Sequence, residues 1–121
     1  MSARLRARDA TGAVWEDPSA DRLHDLISEL NARFPFLVVE RLDMPEAGQH
    51  YIQVWRHGDG GHTVEYRDGS PERHYRAGLA PVPGPFGEDE VTAIVCSWAR
   101  SGDEAWRTTV PWHRWTEADR R

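Results

Sequence analysis

Hydrophobic and polar positions follow two different periods along this chain. In "EDPSADRLHDLISELNARFP", Leu23, Leu26, Ile27, Leu30 and Phe34 recur at steps of three and four, which places them on one stripe of a helix. Asp17 stands where a carboxylate can cap orphan amides. Pro18 suits the first helical position because its missing N–H has no partner there anyway, and Pro35 ends the pattern. A second stripe, Val91, Ile94, Val95 and Trp98, runs through "EDEVTAIVCSWARSG". Its acidic residues fall at the positive end of the helix dipole, and Gly102 is a natural stop.

From Phe36 the period drops to two. "FPFLVVERL" is β-branched and aromatic, and its near-continuous apolar run predicts a central strand, covered on both sides for part of its length. "HYIQVWRH", "HTVEYRD" and "RHYRAGL" follow as strands separated by the turn-forming "GDGG" and "GSPE". "RLRARDATGAVW" holds one or two further short strands about the Asp9–Gly12 turn, with Leu5 and Ala7 on one side. "APVPGPFGEDE" is an irregular connection, and "EAWRTTVPWHRW" adds a strand or packed extension before a frayed tail. Two amphipathic helices and an antiparallel meander predict a two-layer α+β domain, a sheet of roughly four to six strands with both helices on one face. The other face is left partly open.

The register of the hairpin "HTVEYRDGSPERHYRA" sorts its charged residues. With a loop over Asp68–Pro71, Glu65 faces His74 and Val64 faces Tyr75. Val64, Tyr66, Tyr75 and Ala77 then share the apolar side, and Glu65, Arg67, His74 and Arg76 share the other. A four-residue "GDGG" loop in the preceding hairpin sets Trp55 opposite Val64, whereas a three-residue loop or a bulge sets Val54 opposite Tyr66. Ile52 and Val54 are the better core residues, which favours placing Tyr51, Gln53 and Trp55 on the open face. Tyr51, Gln53, Trp55, Glu65, Arg67, His74 and Arg76 are therefore the candidate binding surface, an aromatic and arginine composition enriched at binding hot spots. The plain alternative is the solvated side of an ordinary hairpin, with a cross-strand pair worth about 0.2–1 kcal/mol.

Composition narrows the chemistry further. A chain of 121 residues forms one domain able to bury roughly two thirds of its unfolded surface. All fifteen basic residues are arginine, which removes lysine nucleophiles and Walker-type phosphate lysines from consideration. The net charge of −5 argues against nucleic acid or an anionic membrane as partner, and favours a basic protein. The single cysteine, Cys96, excludes an internal disulfide and fits a reducing, cytoplasmic setting. Its neighbours Ile94, Val95 and Trp98 predict a buried, inert thiol. A carboxylate beside His74 makes Glu65 and His74 an alternative acid–base pair for a small hydrolase or isomerase. His57, Asp59 and His62 are a weak candidate for a zinc-type ligand set at a hairpin end. Neither glycine-rich loop has the strand, spacing and helix start of a phosphate loop, so no cofactor is expected. Trp106, Trp112 and Trp115 are expected to staple the C-terminal segment onto the second helix and sheet.

The order "EDPSADRLHDLISELN", "FLVVERL", "YIQVWRHGDGGHTVEYRDGSPERHYRA" and "GDEAWRTTVPWHRW" resembles small uncharacterised actinobacterial proteins and, more distantly, immunity-like proteins of bacterial polymorphic toxin systems. The likeness covers most of the chain after residue 12. It implies a non-catalytic role, binding and blocking a cognate protein, and it carries over no functional residues. A second copy of the chain is the other partner able to close an open sheet face.

Overall fold

The computed structural model describes residues 3–83 and 87–115. Seven strands, β1 (Leu5–Asp9), β2 (Val14–Glu16), β3 (Phe36–Arg41), β4 (His50–Arg56), β5 (His62–Asp68), β6 (His74–Leu79) and β7 (His113–Arg114), form one antiparallel sheet ordered β2-β1-β3-β4-β5-β6-β7. Helices α1 (Ala20–Ser28) and α2 (Asp89–Ala99) and the short α3 (Trp106–Thr109) complete the fold. The architecture is α+β, as the periodicity predicts, but the strand count exceeds four to six. The count reaches seven because the N-terminal segment forms two strands, β1 and β2, and the C-terminal segment adds the brief β7 as a strand. The sheet is also not a simple meander. The β1–β2 hairpin forms one edge, and the chain crosses through α1 to re-enter beside β1 as β3.

Local chemistry explains the boundaries. Ser19, not Asp17, caps α1: its Oγ accepts the Arg22 amide at 3.1 Å. The Asp17 carboxylate instead accepts the amides of Arg4 and Leu5, both at 2.9 Å, and so ties the β2–α1 link to the start of β1. These bonds hold the Asp17 carboxyl below the usual carboxylate range. Helix α1 stops at Ser28. Asn31 Oδ1 then accepts the amides of Arg33 and Phe34, an Asx turn that competes with further helix, yet Leu30 still reaches the core. No basic side chain lies in the last turn of α2. Its Trp98 and Ala99 carbonyls are taken by the guanidinium groups of Arg41 and Arg4, and Arg41 also stands 4.2 Å over the Trp98 ring.

The core lies between the helices and one face of the sheet. Leu5, Ala7, Leu37, Val39, Ile52, Val54, Val64 and Ala77 point toward Leu23, Ile27, Val91, Ile94, Val95 and Trp98, all buried. Tyr66 is boxed in by Tyr75, Trp106 and Trp112 at centroid distances of 4.9, 4.7 and 4.8 Å, so two of the three C-terminal tryptophans do staple their segment to the core. Cys96 is half-buried at the helix surface, not fully buried as expected, and partial burial pushes its thiol pKa up. No helix among the described residues is long and apolar enough to cross a membrane. The expected tail, residues 116–121, and the middle of the proline-rich connection lie outside the described residues.

Candidate functional site

Strand register lays the face away from the helices out in three rows. The first crosses Glu16, Arg6, Glu40, Tyr51, Arg67 and His74; the second crosses Val14, Arg8, Val38, Gln53, Glu65, Arg76 and His113; the third crosses Phe36, Trp55, Thr63 and Gly78. All seven predicted binding residues share this face. The partners within it differ from the expected ones. Glu65 lies opposite Arg76 and Arg67 opposite His74, because a 3₁₀ turn over Pro71–Arg73 lengthens the loop and moves the register by two residues. A shift of two preserves which side each residue faces. At the other hairpin the His57 amide donates to the Gly61 carbonyl at 2.8 Å, closing the loop around Gly60 at φ +92°. Val54 then faces Val64 and Trp55 faces Thr63, neither of the two expected pairings, with Trp55 on the open face.

His74 is the unexpected element of that face. None of the described helices lies above it, yet its side chain is only 4% exposed. Arg67 Nε donates to His74 Nδ1 at 3.2 Å, His74 Nε2 lies 3.0 Å from Glu65 Oε2, and Arg67 Nη1 donates to Gln49 Oε1 at 3.1 Å. A guanidinium can only donate, so Nδ1 accepts and the ring proton sits on Nε2, donated to Glu65. The Tyr51 ring meets the imidazole edge at 6.0 Å and Trp115 lies 5.5 Å away, its amide donating to the His74 carbonyl at 2.8 Å. Trp115 thus leaves its two companions in the core and crosses the sheet edge onto the open face. Arg76 stands over the Trp115 ring at 5.6 Å and Arg67 over Tyr51 at 5.6 Å.

This arrangement fixes arginines in place more than it poises a proton transfer. General base catalysis by His74 needs a ring lone pair facing substrate, and both ring nitrogens are committed within the protein. Glu65, which the register alone sets against Arg76, is turned to His74. Trp55 is 40% exposed and stacks on Phe36 at 5.7 Å and 17° between planes.

The metal candidate does not assemble. Loop and strand parity send His57 to the open face, where its Nε2 lies 2.6 Å from Thr63 Oγ1. His62 points to the helix side, and Asp59 Oδ1 accepts the Gly61 amide. Among the described residues no group of three histidine, cysteine or carboxylate side chains is placed to hold a metal ion. His62 is buried, and its Nε2 has no hydrogen-bond partner among the described residues. Burial lowers its pKa below the ordinary histidine value, against an opposing effect of Glu88.

Four contributors to the face escape a reading of hairpin residue types alone: Phe36 under Trp55, Gln49 behind Arg67, Trp115 over His74, and Arg8 at the far side. Strand parity is a signal that reaches Phe36 on β3 and Arg8 on β1; Gln49 and Trp115 depend on tertiary placement. Comparison with protein-family models, curated proteins and solved structures finds no match.

Proposed function

We propose that the protein is a non-catalytic binding module that engages a protein partner through the open face of its sheet. The observation that carries this reading is the fixed placement of aromatic and arginine side chains on a face that none of the described helices covers. Arg67 is held by Gln49 and His74, Arg76 lies over Trp115, and Trp55 is braced by Phe36. Side chains already ordered in the free protein lose less entropy on binding, and exposed tryptophan and arginine are the residues that most often dominate an interface. The resemblance to immunity-like proteins points the same way, toward occluding another protein.

The charge argument changes once the face is mapped. Its rows carry four arginines and three glutamates, so the face is not acidic and the negative charge of the molecule resides elsewhere. A basic partner is therefore not selected by this face. Calorimetry with a partner recovered from the source cells tests the reading. Trp55→Ala with Arg76→Ala should weaken binding by about 30-fold or more, the scale of losing one hot-spot residue. Unchanged affinity in that variant contradicts it.

A further inference from the structure

A shallow depression of about 410 Å³ opens on the same face, away from Trp55 and Arg76, lined by Arg8, Val38, Glu40, Gly48, Tyr51 and Gln53. Its size falls in the range of small-molecule sites, roughly 300–1,000 Å³. Arg8 and Glu40 carry opposite charges within it, yet neither forms an ion pair or side-chain hydrogen bond with a described residue. Register explains the gap. Arg8 is paired with Val38 and Glu40 with Arg6, so Arg8 and Glu40 are diagonal neighbours, a relation that leaves roughly 7–8 Å between such positions. Arg6, the residue opposite Glu40, lies instead 3.9 Å from Glu16 on the outer strand. The depression thus presents a guanidinium across the ladder from Val38 and a carboxylate two residues along the strand from it, with the Gln53 amide beside them.

We propose that this depression binds a small zwitterion of the α-amino-acid class, its carboxylate on Arg8 and its ammonium on Glu40. Guanidinium and carboxylate groups are matched to those two charges, and two charge-assisted hydrogen bonds of roughly 2.8 Å bridge the diagonal gap through a ligand with adjacent opposite charges. A plain anion satisfies Arg8 alone and leaves Glu40 repelling it; a plain cation does the reverse. Val38 offers apolar contact to the ligand's carbon atoms. The site needs neither Trp55 nor Arg76, though it shares Tyr51 and Gln53 with the face proposed to meet a protein partner.

Titration of the full chain with leucine and glutamine, followed by the Gln53 side-chain amide and Tyr51 ring resonances in NMR spectra, tests the assignment. Saturable shifts are expected. N-acetyl-leucine, leucine amide, acetate and methylammonium should each bind about tenfold or more weakly, the scale of losing a charged hydrogen bond, and so should the amino acids to Arg8→Ala and Glu40→Gln. Both substitutions lie at solvated positions, and the blocked analogues apply the same test to the unaltered protein. Absence of saturable shifts, equal binding of a blocked analogue, or unchanged affinity in both variants overturns the proposal. Trp55→Ala/Arg76→Ala should leave the amino-acid titration unaltered, so failure of the partner reading and failure of this one are separate results.

Discussion

Replacing His74 with leucine removes a buried hydrogen-bonding ring while keeping an apolar side chain in its place. Two bonds are lost, the 3.2 Å bond from Arg67 and the 3.0 Å bond to Glu65. Hydrogen bonds to charged groups contribute about 1.5–3 kcal/mol each. The longer bond takes the low end of that range, and Glu65, with 24% of its side chain exposed, recovers some hydration. The expected loss is therefore about 2–4 kcal/mol. An unfolding entropy of about 2.1 cal/mol/K per residue, applied to 121 residues, gives about 0.25 kcal/mol/K, so the melting temperature should fall by about 10 °C. Urea unfolding should show a lower midpoint at constant m-value. The cycle with Glu65→Gln should return a coupling of about 1–2 kcal/mol. A destabilisation below about 0.5 kcal/mol, with no coupling to Glu65, would refute the claim that this network organises the face.

Other consequences are equally accessible. His62 has a folded-state pKa below the ordinary 6.5, so the unfolded chain takes up its proton first as the pH falls. Stability should drop from near pH 6.5 downward through the lowered folded value, and His62→Phe should flatten that part of a stability–pH curve measured by urea titration. Arg41→Met removes the hydrogen bond to the Trp98 carbonyl and the contact over the Trp98 ring, and should cost about 1–3 kcal/mol in thermal unfolding. Gly61→Ala would place a Cβ 2.9 Å from the Leu79 carbonyl oxygen and 3.2 Å from Pro81 Cδ, so it should destabilise by about 1–3 kcal/mol, read from the urea midpoint. If a second copy closes the open face, sedimentation should report a dimer that Trp55→Ala abolishes; a monomer at all concentrations excludes that partner.

Parity was the most legible feature of this chain. Ile52 and Val54 were recognisable as core residues, and that was enough to send Tyr51, Gln53 and Trp55 to the other side with Glu65, Arg67, His74 and Arg76. Absolute register was not legible, because Pro71 begins a 3₁₀ turn that residue types alone do not announce, and the resulting two-residue shift moves Glu65 from His74 to Arg76 and sets Arg67 opposite His74. The helix start illustrates the same limit. Asp17 and Ser19 are both good caps by type, and only the demand of the Arg4 and Leu5 amides assigns Asp17 elsewhere. The burial of His74 was hidden for a different reason: one of the groups packed against its ring is Trp115, far along the chain. The metal candidate failed through loop geometry, which parts His57 from His62 across the sheet.

The central claim is that the open sheet face, and not the helix layer, meets a partner. Capture from the source cells with three forms of the chain tests it most directly: unaltered, Trp55→Ala/Arg76→Ala on the sheet, and Arg22→Ala/Glu29→Ala on exposed positions of the helix segment. A protein retained by the unaltered and helix-layer forms, lost by the sheet-face form, and binding one-to-one when purified is the predicted result. Retention by the sheet-face form together with loss by the helix-layer form contradicts the account.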